Sequence, residues 1–223
     1  MKKRTIFTLL AISGIGLVNP VSAELTGAYM AGGLGVFGSY SLELEQSFSD
    51  ETNIHKWGIS DWLHKADLVV GYGRETTITG YTSRYYIGAE ITYSNSFIDE
   101  ALSRETDDTA TLEVGDGYAV SARGGYFYAP TTMAYLKFSY MLRDYDITFS
   151  AEDFVASEEA RFRGFGVGFG LEHHFSETPL ALRFETMRVE FGSESLDLFG
   201  DPTLEPDFQP TEITGDLHLV YRF

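Results

Sequence analysis

Apolar and polar residues alternate along most of this chain. In 212–223, Leu217, Leu219, Tyr221 and Phe223 fall on one face, while Asp216, His218 and Arg222 fall on the other. A period of two, with apolar residues opposite charged ones, predicts a strand, because successive side chains of a strand point to opposite faces. The pattern recurs in 83–95, where Tyr85, Ile87, Ala89, Ile91 and Tyr93 oppose Tyr86, Gly88, Glu90, Thr92 and Ser94. In 133–143, Ala134, Leu136, Phe138, Tyr140 and Leu142 oppose Lys137, Ser139 and Arg143. In 117–128, Tyr118, Val120, Ala122 and Tyr126 oppose Ser121, Arg123 and Gly125. In 161–175, Phe165, Val167, Phe169 and Leu171 oppose Gly164, Gly166, Gly168, Gly170 and Glu172. Weaker alternation over 24–37, 67–75 and 180–191 brings the count to eight strands.

The connections between these strands are 38–66, 76–82, 96–116, 129–132, 144–160, 176–179 and 192–211, with lengths of 29, 7, 21, 4, 17, 4 and 20 residues. Long and short alternate throughout. That rhythm is expected of an up-and-down membrane barrel with long loops on one side and tight turns on the other. The face pattern points the same way. A water-soluble barrel buries its apolar face, whereas a membrane barrel shows it to lipid and keeps polar residues in the lumen. Gly164, Gly166, Gly168 and Gly170 form one small face, which suits a crowded interior and would only weaken a solvated strand.

The first residues read as an address. Lys2, Lys3 and Arg4 precede an apolar run over 6–18, too short to span a bilayer, and Val21-Ser22-Ala23 supplies a small-residue cleavage site. Residues 1–23 are therefore expected to be a secretory signal, with 24–223 the barrel domain. Removing the three bases leaves 13 basic against 33 acidic residues, a net charge of −20. So acidic a chain lacks the basic footprint that nucleic acid requires. Zero cysteines exclude disulfides and thiolate chemistry. No cofactor and no metal is expected, since no segment has the spacing of a calcium loop or zinc helix. The four long connections carry 23 of the 33 acids, either as a surface for a cationic partner or as plain solvation. Trp57 and Trp62 lie in the first of them, as partner anchors or as loop packing.

The terminal L-H-L-V-Y-R-F, the early G-A-Y-M-A-G-G-L-G-V-F-G and Y-Y-I-G-A-E-I-T-Y at 85–93 resemble the small OmpA-like and opacity-type eight-stranded family. The resemblance covers essentially the whole of 24–223. It implies an all-β, eight-stranded antiparallel up-and-down transmembrane barrel in the outer membrane of a Gram-negative cell, among outer-membrane lipids and lipopolysaccharide. It also implies insertion by the barrel assembly machinery, with Leu217, Leu219, Tyr221 and Phe223 as the assembly signal.

One constellation carries chemistry. Glu90, Arg123, Lys137, Glu172, Arg183 and Glu185 fall on lumen faces at a shared depth, three acids and three bases that sum to zero. Buried charge must be mutually neutralised, and Glu172 and Arg183 are placed to pair across the turn 176–179. Such a layer is either a plug in a barrel too narrow for water or a set of pairs that rearrange to pass small ions. His174-Phe175-Ser176, with Glu185 and Glu190 downstream, has the residue types of a hydrolytic site, though at the wrong end of the barrel for a lipid A deacylase. The expected function is a non-enzymatic surface barrel whose acidic loops serve an extracellular partner, adhesion or envelope integrity. The alternatives are a low-conductance ion pore, a lipid A-modifying enzyme, and a soluble ligand-binding barrel of the periplasm.

Overall fold

A computed structural model describes residues 26–48, 51–77, 83–103, 109–151, 154–195 and 207–223. The expected signal, 1–23, lies outside the described residues. Among the described residues, eleven strands form one antiparallel sheet: β1 (Gly27–Phe48), β2 (Glu51–Asp61), β3 (Lys65–Thr77), β4 (Arg84–Ser96), β5 (Asp99–Ser103), β6 (Thr109–Ala129), β7 (Thr132–Ala151), β8 (Phe154–His174), β9 (Leu180–Phe191), β10 (Glu194–Ser195) and β11 (Asp207–Arg222). Eight of them, β1, β3, β4, β6, β7, β8, β9 and β11, make the wall, and β11 pairs with β1 to close it. Each neighbours its predecessor, so the barrel is up-and-down.

The ladders fix its dimensions. A path across the strands from Met30 runs through Val70, Ile91, Val120, Tyr140, Phe165, Glu190 and Thr211 and re-enters β1 at Ser41. That point is eleven residues further along β1, one of them taken up by the bulge between Gly35 and Phe37. The stagger is thus ten residues. Eight strands with this stagger tilt by about 40° and enclose a tube about 16 Å across between backbones, room for side chains and little else.

The wall is inverted relative to a soluble protein. Leu68, Val70 and Tyr72, Ile87 and Ile91, Leu136 and Phe138, and Phe165, Val167 and Phe169 are all exposed, whereas Glu90, Arg123, Lys137, Glu172, Arg183 and Glu185 are buried. Outward aromatic rings gather at two levels. Tyr93–Tyr118 and Tyr140–Phe165 lie at the upper one, and Tyr85–Tyr126 and Tyr221–Phe223 at the lower one beside the tight turns. Tyr118 and Tyr128 stand ten residues apart on β6, which for a tilted strand is about 25 Å, the height of the lipid-facing band of a membrane barrel. The chain is a transmembrane β-barrel. No helix among the described residues is long and apolar enough to cross a membrane; the strands do so.

The long connections are not structureless, and this corrects the loop boundaries read from the sequence. β7 and β8 pair without interruption from Thr132↔His173 to Ala151↔Phe154, so most of 144–160 is hairpin. β2 lies along the upper half of β1, and β5 lies against the start of β6. Above the upper aromatic level the polarity reverses. Asp144 and Arg161 pair on the outside at 2.6 and 2.8 Å, while Tyr145, Ile147 and Phe162 turn inward. These join Leu42, Leu112, Val114, Val189, Phe191 and Phe208 in a dry core, with Tyr145 edge-on to Phe162 and Phe191 at 5.4 and 5.8 Å. The hairpins thus fold above the membrane as a water-soluble protein does, around an apolar interior.

Candidate functional site

Glycines make room for the lumen chemistry. A Cβ on Gly170 would overlap the ring of Tyr135, one on Gly71 the ring of Tyr29, and one on Gly73 the ring of Tyr86. The glycine wall of one strand therefore accepts the tyrosine of a neighbour lying flat against it. This leaves the barrel axis to charged heads.

All six charges expected in the lumen are there, each no more than 4% exposed. Arg123 reaches Glu90 at 3.0 Å and Glu172 at 2.9 Å. Arg183 reaches the same two carboxylates at 2.7 and 2.9 Å, and it stands directly opposite Glu172 in the β8–β9 ladder. Lys137 bridges Glu90 at 3.2 Å and Glu185 at 2.8 Å. The tyrosines complete the layer. Tyr29 donates to Glu90 at 2.7 Å and Tyr135 to Glu185 at 2.7 Å. The Arg123 guanidinium sits 4.8 to 5.3 Å from the rings of Tyr135, Tyr86 and Tyr29, a distance at which the ring faces attract a cation.

The lumen holds more than the sequence reading assembled. Arg222 joins from β11 at 2.7 Å from Glu172, and His174 Nε2 lies 3.1 Å from the same carboxylate. One step higher, Lys65 holds Asp67 at 3.2 Å and Asp216 at 3.1 Å, with His218 3.4 Å from Asp67. Higher still, Arg143 pairs with Glu212 at 3.1 Å, and Tyr145 donates to that carboxylate at 2.6 Å. Among the described residues, six lumen acids (Asp67, Glu90, Glu172, Glu185, Glu212, Asp216) face six bases (Lys65, Arg123, Lys137, Arg143, Arg183, Arg222). With histidines neutral the interior carries no net charge, as a low-dielectric interior requires. Asp216, His218, Arg222 and Arg143 all stand on polar faces of phased strands, so alternation alone could have included them. Lys65 precedes the segment read as a strand, and Glu212 heads one.

The three levels form a column: a cross-linked charge layer, the Lys65 cluster, and then Arg143–Glu212 beneath the apolar core. At its foot Glu90 and Glu172 are each held by cations from three strands, while Glu185, Glu212 and Asp216 each take one.

No family model and no curated protein matches the chain. Among solved structures it is similar to Neisserial surface protein A, at 12% identity over 88% of this chain and 99% of that one, with a TM-score of 0.39. It is similar to Ail, the attachment invasion locus protein of Yersinia pestis, at 10% identity over 88% and 99%, with a TM-score of 0.39. It is also similar to the outer membrane protease OmpT of Escherichia coli, at 9% identity over 88% and 96%, with a TM-score of 0.42.

The remaining candidates sit at the lower rim. Leu217, Leu219 and Phe223 face outward at 40%, 53% and 75% exposure, and Tyr221 stacks edge-on to Phe223. His174 turns into the lumen toward Glu172, while Ser176 is exposed in the turn after it. The two side chains of the would-be hydrolytic pair therefore serve different surroundings.

Proposed function

We propose that this chain is a closed, non-enzymatic barrel of a bacterial outer membrane, exported with loss of residues 1–23. Its acidic hairpins would make the contacts that constitute its function, whether adhesion to an extracellular partner or reinforcement of the envelope. The observation that carries this reading is the lumen column. Its charges balance one for one, its tyrosines lie in glycine recesses, and its upper end is an apolar core, so the tube offers no wetted path. Work done by the molecule then falls to its outer surfaces. Above the lipid band the described hairpins present Asp116, Asp144, Asp146 and Glu159, and the Asp144 carboxylate, by hydrogen bonding to Arg161, holds that guanidinium above its ordinary pKa. Barrel assembly machinery and lipopolysaccharide are the proposed partners in the envelope, with the outward Leu217, Leu219, Tyr221 and Phe223 as the assembly signal.

The test is conductance of the refolded mature protein in a planar bilayer, with insertion verified by its altered electrophoretic mobility before boiling. A silent bilayer is expected. Reproducible steps that change on neutralising Arg183 or Glu172 would overturn the closed reading and make the lumen an ion path.

A further inference from the structure

Between β2 and β3 the chain leaves the barrel wall. Asp61 pairs with Gly38 and Lys65 with Gly35, so Trp62, Leu63 and His64 must fit opposite only Val36 and Phe37. The surplus is expelled outward. Leu63 adopts φ 55°, a left-handed conformation that is unfavourable for a non-glycine residue and persists only when its surroundings fix it. Here four hydrogen bonds do so: Trp62 N donates to Asp61 Oδ1 at 2.6 Å, His64 N to Gly35 O at 3.2 Å, and Phe97 N and Ser96 Oγ to His64 O at 2.8 and 3.4 Å. His64 is thereby turned inward against Tyr40 and fully buried. Trp62, Leu63 and Phe97 are left 76%, 61% and 57% exposed. Single exposed apolar residues are ordinary, but three large ones clamped side by side at one level are not.

That level is decided by the barrel stagger. Ten residues over eight strands means that a line of equal height shifts by about one residue per strand relative to the ladder. From Tyr118, whose ladder runs through Tyr93, Leu68 and Gly32, equal height passes close to Asn95, Ala66 and Val36. The upper aromatic girdle, marked by Tyr93, Tyr118, Tyr140 and Phe165, reaches β1 at Phe37, whose ring lies over Gly215 on the outer face, and is interrupted on β3, where Ala66 holds that level. The outward excursion begins there, and Phe97 stands about 5 Å above Asn95, within the headgroup layer that adds about 5–8 Å to each side of the hydrocarbon.

We propose that Trp62, Leu63 and Phe97 form a lipid anchor that enters the headgroup and upper acyl region of the leaflet on the hairpin side. They complete the girdle at β3, which supplies no aromatic ring of its own at that level. The anchor is continuous with the exposed apolar band below it, which fixes its occupant as lipid. The inference rests on the membrane-spanning reading of the barrel.

The experiment uses tryptophan as its own reporter, since Trp57 and Trp62 are the only two in the chain. The protein is refolded into vesicles of phosphatidylcholine brominated either high or low on the acyl chain, and only protein that floats with the vesicles is measured. The share of Trp62 is the emission of Trp57→Phe, or, should that variant fold poorly, the difference between wild type and Trp62→Phe. Blue-shifted Trp62 emission, quenched several-fold more by the shallow bromines than by the deep ones, is the expected result. Emission like that of indole in water, open to iodide and untouched by bromine, would overturn the proposal. So would blue-shifted emission untouched by bromine and accompanied by a cross-linked dimer, which would give the patch to a second copy. A chain that fails to float defeats the membrane reading instead, so the two failures are separable.

Discussion

Replacing Arg183 with methionine isolates the energetics of the lumen layer. Arg183 is fully buried and reaches Glu90 at 2.7 Å and Glu172 at 2.9 Å. Its loss leaves six lumen acids facing five bases. Removing one partner of a buried ion pair costs about 3–5 kcal/mol, chiefly because the other charge stays buried without compensation. The cost here belongs at the lower end. Glu172 keeps Arg123 at 2.9 Å and Arg222 at 2.7 Å, and Glu90 keeps Arg123 at 3.0 Å and Lys137 at 3.2 Å. We expect a loss of about 3 kcal/mol. Adding Glu172→Gln restores the balance at five and five, so the double variant should be more stable than the sum of the single losses by at least about 1 kcal/mol. Urea unfolding in lipid vesicles, followed by tryptophan emission and by mobility before boiling, gives all three values. A single variant within about 0.5 kcal/mol of wild type, or a double variant that is simply additive, would refute the idea that these charges act as one unit.

Other expectations follow from packing and depth. Gly170→Ala drives a methyl into Tyr135, which donates to Glu185, and should cost about 1–3 kcal/mol. Gly124→Ala meets nothing within 4 Å and should be neutral in the same unfolding assay. Phe169→Arg, in the middle of the lipid-facing band of β8, should lose about 2–4 kcal/mol in vesicle unfolding, whereas Glu159→Arg above the band should change stability by less than about 1 kcal/mol. Equal effects at the two sites would displace the membrane boundary drawn here. Deleting Phe223 should lower the yield of protein recovered in the outer membrane without preventing refolding in detergent, and unchanged yield would remove it from the assembly signal.

Alternation made the wall legible, because a period of two assigns every residue of a strand to a face once one residue is placed. Glu90, Arg123, Lys137, Glu172, Arg183 and Glu185 lie on strands with unambiguous phase, and the structure brings them together at hydrogen-bonding distance. Lys65 and Asp67 were illegible for a local reason. The excursion at 62–64 breaks the phase just before them, so nothing upstream tells which way they point. The height of the hairpins was hidden by composition. Acid-rich 144–160 reads as loop, yet its alternation runs on unbroken from β7, with Asp144 and Asp146 outward and Tyr145 and Ile147 inward. Only the preferred solvent of each face had changed. Nor does the sequence show that tyrosines would fill the glycine recesses, since that contact joins strands whose register it does not fix.

The reversal of polarity along β7 and β8 has a consequence for how the chain finds its pairing. Below the upper girdle the outer face needs lipid and the inner face needs charge partners; above it the outer face needs water and the inner face needs apolar neighbours. One unbroken phase serves both halves. A slip by one residue would put Lys137 and Glu172 into lipid and, in the same motion, turn Tyr145 and Phe162 into water while burying Asp144 and Arg161. The errors occur in two different solvents and cannot be relieved by moving the barrel up or down in the membrane, because any shift that helps one half harms the other. The hairpin therefore proofreads its own alignment. Length variation in this protein should be confined to hairpin tips or come in pairs of residues, and single insertions within the paired stretch should be rejected during assembly rather than tolerated in the finished barrel.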